Sequence, residues 1–475
     1  MKFGPDLPRD DRIAAKFGRL LQVFGLGSLA TILFAVAFSA YFVLPLVKIS
    51  PEGLYHRAWQ EVQDNAYDPS GLKDWAAWEH KYDGRLKTQD EAADAINEML
   101  KSTGDHYAVF LNPKHAAAER EQMSGQFAGI GVKIAPKVDD KGEPVMGLDP
   151  KAGPLMAVDK DGNPLIEVME DGPAAQAGLK DGDAVISING QPVKDITMDG
   201  FVKIARGDAG STLAMVILRD GKQQNITVVR GEVKTKAVSH KLLTAANGTR
   251  VGYIRLESFI QDDSADELRD AIAALGPVDR IILDLRFNPG GNVAVCLQVM
   301  SVFIEKGTLV SIRQRDSGAG WTKTTYVASG NGITETSVAD PADGSTSTTH
   351  LLERMEPVGG KQKLVVLVNG NSASAAEMFT GAMKDHKRAT IIGERTFGKG
   401  IGQSIIPMPG RTSLHITSLR YFTPNGTWLG DGGNGNEKYG VDPDIVVKLD
   451  EKPGIKLGDP GKDNQLDTAL QFISR

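Results

Sequence analysis

A serine and a lysine 25 residues apart have the spacing and surroundings that suit nucleophilic chemistry. The run Leu364-Val-Val-Leu-Val368 reads as a strand covered on both faces. After it, Ala375, Met378, Phe379, Ala382 and Met383 recur at helical spacing. Ser374 therefore falls at a strand-to-helix turn, where a hydroxyl stands beside backbone N–H groups and a helix dipole able to hold an oxyanion. The same serine, three residues before Glu377, also fits a capping box, the usual reason for a serine at a helix start. Lys399 stands between Gly398 and Gly400. Desolvated among apolar neighbours, a lysine loses its proton more readily, and Ser-Lys is a known form of the activated serine.

Other readings of these residues are weaker. Gly393-Glu-Arg-Thr-Phe-Gly-Lys-Gly400 nearly spells a phosphate-binding loop, but glycine stands where that motif needs Ser or Thr, and the following residues read as extended rather than helical. His386 lies twelve residues along the helix from Ser374, about 18 Å away at 1.5 Å per residue, too far to serve as its base. His415, in a later strand-like run, is not excluded by spacing. No His-Glu-x-x-His pattern exists to suggest a zinc peptidase. Asp284-Leu-Arg-Phe-Asn-Pro-Gly-Gly291 closes another apolar strand with a glycine turn, which can aim an N–H at a reacting carbonyl oxygen. Asp159-Lys-Asp-Gly-Asn163 lacks the spacing of a calcium loop and reads as a turn.

The elements that must position these residues form a multidomain α/β (α+β) chain. At 475 residues it has room for about three domains. Its net charge of −6 argues against a chain that coats nucleic acid. Residues 20–47 carry no charge and are long enough for a transmembrane helix; the basic residues before them place 1–19 in the cytoplasm. A cleaved signal peptide is the rival reading, disfavoured by the length of the run. Residues 51–122 read as a small helical segment, with Thr88-Gln-Asp-Glu91 as a capping box. From 123 to 232 short β-type runs between glycine turns suggest a compact β module, interrupted near 135–164. Residues 233–475 alternate strands and helices, which implies an α/β domain with a buried central sheet. Residues 317–360, rich in Gly, Asp, Ser and Thr, read as a long loop. Cys296 is the sole cysteine, so neither an intrachain disulfide nor a thiolate metal site is available.

Together, Ser-Ala-Ser374-Ala-x-Glu377, Thr-Phe-Gly-Lys399-Gly and Gln403 resemble the signature of the carboxyl-terminal processing peptidases, or tail-specific proteases. The resemblance runs from about Tyr55 to the C-terminus. It implies Ser374 as nucleophile, Lys399 as its neutral base and Gln403 as the residue orienting the lysine, which requires the chain to bend at Gly400 or Gly402. It also implies an oxyanion hole from the N–H groups of Ala375 and of Gly290 or Gly291. Phe127-Ala-Gly129-Ile130-Gly131-Val132 resembles the carboxylate-binding loop and first strand of a PDZ domain, with Asp171-Gly-Pro-Ala-Ala-Gln-Ala-Gly-Leu179 as a later signature. The resemblance departs at Ala376 and Arg395, where a serine and a proline are common. The expectation is a membrane-anchored serine endopeptidase on the periplasmic or extracytoplasmic side, cutting proteins with apolar C-terminal tails. No metal or other cofactor is expected, since acyl-enzyme chemistry needs none. A homo-oligomer or an accessory activator is a further possible partner, and nucleic acid is not.

Overall fold

The computed structural model describes residues 49–68, 72–135, 137, 155–315, 320–330, 332–339, 346–352, 361–430, 439–450 and 457–475. The cytoplasmic tail expected at 1–19 and the span expected at 20–47 lie outside them, as does most of the interruption expected at 135–164. Among the described residues no helix is long and apolar enough to cross a membrane.

The chain divides into two compact units. Among the described residues, one comprises 49–64, 68, 72–117 and 404–416. Its helices begin at Pro51, at Trp75 and, behind the expected Thr88–Glu91 capping box, at Gln89. Leu54, Tyr55, Ile96 and Met99 are buried there. The helical reading of 51–122 missed a strand, Val109–Leu111, which pairs antiparallel with residues 413–415. Three residues are too short a run for periodicity to reveal.

The other unit carries the residues of chemical interest. Its central sheet has the order Val238–Thr244, Arg250–Leu256, Arg280–Asp284, Lys363–Val368, Ala389–Gly393 and Ile445–Val446. The first pair is antiparallel and the rest are parallel. Helices Ser264–Ala274, Val293–Phe303 and Ala375–Asp385 pack on one face, where Leu283, Val366, Phe379 and Val299 share a core. Helix Asn464–Ile473 covers the other, with Leu466 and Leu470 against Ile282, Val365 and Ile392. Burial on both faces is why these strands read as unbroken apolar runs.

Residues 317–360 are not simply a loop. Trp321–Ser329, Gly332–Ala339 and Thr346–Leu352 form an antiparallel meander that continues from Gly307–Arg315. The Thr- and Ser-rich strands Trp321–Ser329 and Gly332–Ala339 are mostly half-exposed, so no alternating apolar face marks them in the sequence.

The β module has its own core, including Ile130, Ile166, Val185, Phe201, Leu213 and Val228. Its four-stranded sheet runs Gln191–Pro192, Ala184–Ile188, Thr212–Arg219 and Lys222–Val229, accompanied by helix Met198–Ala205. Two short strands, Gln126–Gly129 and Val132–Lys133, open the module, parted by Gly131 at φ +73°.

Candidate active site

Strands Arg280–Asp284 and Lys363–Val368 are parallel neighbours, so the loops leaving their C-terminal ends lie side by side at the edge where α/β sheets bind ligands. Hydrogen bonds stitch the two loops together. Ala373 N–H donates to the Asn288 carbonyl at 3.0 Å. Phe287 N–H donates to Asn369 Oδ1 at 2.9 Å, and Ser372 Oγ donates to the Leu285 carbonyl at 2.7 Å. Gly290 is therefore brought against the serine: a Cβ on it would lie 2.7 Å from Ser374 Cβ and from Ala375 N. Its φ of +95° independently requires glycine.

Ser374 itself has φ 56° and ψ −118°, a conformation that costs a non-glycine residue on the order of 1–3 kcal/mol. It immediately precedes helix Ala375–Asp385 and is partly exposed. Beside it, the N–H groups of Ala375 and Gly291 take no acceptor among the described residues, whereas Gly290 N–H is engaged by Asn288 Oδ1 at 2.9 Å. The two glycines expected as alternatives thus differ: Gly291 offers a free donor and Gly290 offers close approach.

Glu377 does more than close a cap. Fully buried, its Oε2 accepts the N–H of Ser374 at 3.0 Å and that of Lys399 at 3.0 Å. Its Oε1 accepts Gly398 N–H at 2.6 Å and Thr396 Oγ1 at 2.7 Å. One carboxylate oxygen therefore joins the backbones of the expected nucleophile and base. Burial pushes the Glu377 carboxyl up, against these donors, which pull it down. Sequence spacing could not expose this role, because Ser-x-x-Glu already has a local explanation and the other partners lie about twenty residues on.

Lys399 is also held from the far side. Gly400 turns the chain at φ +59°, and a Cβ there would lie 2.2 Å from Gly430 N. Gly400 N–H donates to the Tyr421 hydroxyl at 3.0 Å, and Trp428 Nε1 donates to the Gly400 carbonyl at 2.8 Å. The buried Tyr421 hydroxyl in turn donates to Glu377 Oε2 at 3.3 Å. With the bend at Gly400, Lys399 Nζ donates to Gln403 Oε1 at 3.2 Å. The residues after that bend form strand Ile401–Met408, so the glycine-lysine run opens no helix and lacks the phosphate-loop geometry.

The two histidines weighed as bases make other contacts. His386 caps the end of the helix that Ser374 begins, with Nε2 2.6 Å from the Thr308 carbonyl. His415 pairs with Ser413 Oγ at 3.3 Å, within the other unit. Residues 159–163 form the expected turn, with Asp159 Oδ1 accepting from the N–H groups of Asp161 and Asn163.

A second polar cluster holds the glycine loop from beneath. Arg286, with no exposed side-chain surface, bonds Asp284 at 2.9 Å and 2.5 Å and Asp463 at 2.8 Å and 2.7 Å. Asp284 also accepts the Tyr253 hydroxyl at 2.7 Å. Asp463 is the N-cap of the C-terminal helix, so that helix is tied to the loop leading to Gly290. Nothing in the sequence singled out Arg286.

In the β module, Phe127, Ile130, Gly131, Val132, Phe201 and Ala205 line a cavity of about 100 Å³ between strand Val132–Lys133 and helix Met198–Ala205. The N–H groups of Ile130 and Gly131 take no acceptor among the described residues. Gly129 is not at the cavity; it pairs with Gly231 in the neighbouring ladder. Arg206 also borders the cavity, 5.1 Å from the Phe127 ring and paired with Glu121.

Comparison with known proteins places the chain in a family. The peptidase family S41 profile matches residues 250–447, and a PDZ domain profile matches 166–219. The chain is 31% identical to a carboxy-terminal-processing protease of Bartonella bacilliformis, over 74% of this chain and 69% of that one. It is 31% identical to a probable CtpA-like serine protease of Staphylococcus haemolyticus, covering 76% of this chain and 61% of the relative. The solved structure of a photosystem II D1 C-terminal processing protease aligns at a TM-score of 0.48 with 25% identity, over 89% of this chain and 98% of that one. With the S41 match falling on the sheet and loops around Ser374, and the relatives spanning the β module as well, the chain belongs to peptidase family S41, as a serine-type peptidase that carries a PDZ domain.

Proposed function

We propose that this peptidase is a membrane-anchored endopeptidase that cuts other proteins near their C-termini, with Ser374 as nucleophile and Lys399 as base. The observation that carries the reading is the shared Glu377 oxygen, which accepts the N–H of both residues. Neutral Lys399 takes the Ser374 hydroxyl proton as Oγ attacks the scissile carbonyl, and returns it to the leaving amine when the tetrahedral intermediate collapses. Water then adds to the acyl-enzyme with the same lysine as base, and the new C-terminus departs as Ser374 regains its proton. Gln403 Oε1 accepts from Lys399 Nζ and so aims it. The free N–H groups of Ala375 and Gly291 suit the oxyanion, and close packing at Gly290 keeps the two loops in register.

The PDZ groove supplies the substrate's address. A terminal carboxylate bonds the unengaged N–H groups of Ile130 and Gly131, the chain pairs with strand Val132–Lys133, and an apolar last side chain fills the cavity. The uncharged stretch 20–47, with basic residues before it, anchors the protein and leaves everything after Lys48 on the extracytoplasmic side.

The test is cleavage of an unfolded protein with an apolar C-terminal tail by the chain and by its Ser374→Ala and Lys399→Ala variants. Both substitutions are expected to lower kcat by at least about 10⁴-fold while tail binding persists. Activity of the unsubstituted chain should climb with pH as the lysine gives up its proton; a rate flat from neutral to alkaline pH refutes the lysine base.

A further inference from the structure

In the unit apart from the peptidase site, three side chains converge that the proteolytic mechanism does not use. His56 lies on helix Pro51–Asn65, His80 caps the end of helix Trp75–Glu79, and Asp83 lies in the turn that follows. Asp83 receives an imidazole on each oxygen: His56 Nε2 is 3.0 Å from Oδ1 and His80 Nδ1 is 2.9 Å from Oδ2. One nitrogen from each ring and a carboxylate oxygen all lie within 4.8 Å of one another. We propose that His56, His80 and Asp83 form a binding site for a divalent transition metal of the zinc class.

Several observations favour a cation over a mere pair of hydrogen bonds. Tetrahedral ligands at 2.0–2.1 Å from zinc are separated by about 3.3 Å; because the two rings bond different oxygens of Asp83, a rotation of that exposed carboxylate together with a small closing of the two rings seats an ion among the three. Two imidazoles and one carboxylate leave a coordination position open, and this mixed N/O set suits zinc, whereas magnesium and calcium favour oxygen ligands. The Glu79 carboxylate lies 3.8 Å from His80 Nε2, the ring nitrogen pointing away from Asp83, where an outer carboxylate can orient a metal-bound ring. Lys81, the nearest lysine in sequence, is drawn off to Glu98 at 3.0 Å.

The three residues are also already brought together by other contacts between the same elements. The Tyr55 hydroxyl donates to the Trp78 carbonyl at 2.5 Å, and Gly84 N–H donates to Glu52 Oε1 at 2.5 Å. A bound ion would staple the first helix to this turn with little ordering left to do. The site has no sequence signature, since its ligands are 24 and 3 residues apart and two lie in or beside a turn.

The experiment is zinc titration, by calorimetry and by thermal melting, of the full chain carrying no affinity tag, alongside His80→Ala and Asp83→Asn. Both substituted side chains are substantially exposed, at 68% and 48%, so the variants are expected to fold, and metal-free melting checks that they do. The expected result is saturable binding of one zinc ion, a melting temperature raised by excess zinc but not by excess magnesium, and affinity reduced at least about 100-fold in each variant. Absence of binding by the unsubstituted chain overturns the proposal. So does binding of undiminished affinity in the folded variants, which would place the ion at other side chains.

Discussion

Two buried polar clusters support the loops at the sheet edge, and they are built on opposite principles. The Arg286 cluster is ionic: one guanidinium lies between the carboxylates of Asp284 and Asp463. The Glu377 cluster has a lone carboxylate among neutral donors, three of them backbone N–H groups. In the first, removing the central charge leaves like charges facing each other in a dry interior. In the second, charge is compensated by donors whose positions are the point of the arrangement, because they belong to the residues proposed to do the chemistry. The ionic cluster therefore governs mainly whether the fold persists, and the neutral-donor cluster governs mainly how Ser374 and Lys399 are registered.

The sharpest way to break this comparison is Arg286→Ala, which strands two buried carboxylates and should cost about 3–5 kcal/mol in denaturant unfolding. If the comparison holds, the variant under conditions where it is folded retains more of its kcat than Glu377→Gln does. Glu377→Gln should cost about 1–3 kcal/mol, because its amide NH₂ must face groups that are themselves donors. Its kcat should fall roughly 100-fold with KM for the substrate tail little changed, since the PDZ groove is untouched. Equal losses of kcat in the two variants would erase the distinction.

A milder test is Tyr421→Phe. It leaves Glu377 its other four donors but deprives Gly400 N–H of its acceptor, and should cost about 1 kcal/mol with a severalfold loss of kcat.

The smallest effects come from pH, and there the two clusters should differ in sign. Burial would raise Asp463, but the bonds from Arg286 prevail and hold it below the ordinary 3.8. Its stabilising contribution is complete above that value and is lost as pH falls through the lower folded-state titration. Burial raises Glu377 above the ordinary 4.5, so the fold favours its neutral form, and stability contributed there declines as pH rises through the raised titration. Melting temperatures followed through the acid range should thus lose part of their acid slope in Asp463→Asn, whereas the deficit of Glu377→Gln relative to the unsubstituted protein should be largest at acidic pH and shrink as pH rises through the raised Glu377 titration.

What the sequence made legible follows from what is local. Residues 364–368 and 375–385 announced a buried strand and an amphipathic helix, and the observed elements Lys363–Val368 and Ala375–Asp385 match them within a residue. Ser374 and Lys399 were legible because of glycines and turns beside them, and the bend demanded by Gln403 is found at Gly400. Glu377 was visible only as a cap, since its other partners come from a separate segment. Arg286 looked like one residue of a turn because its partner Asp463 is 177 residues away. The meander from Trp321 to Leu352 was illegible for a different reason: its strands Trp321–Ser329 and Gly332–Ala339 are mostly half-exposed and leave no binary pattern.

The reach from Arg286 to Asp463 also sets an order of events during synthesis. At about 5–20 residues per second, a ribosome needs roughly 10–35 s to add the 177 residues between them. Ser374 and Lys399 emerge within that interval, while the guanidinium beneath the neighbouring loop still lacks one of its two carboxylates. A nascent chain, or one truncated before Asp463, thus holds Ser374 without the finished support for the loop beside it, so such a truncated chain is expected to melt lower than the full chain.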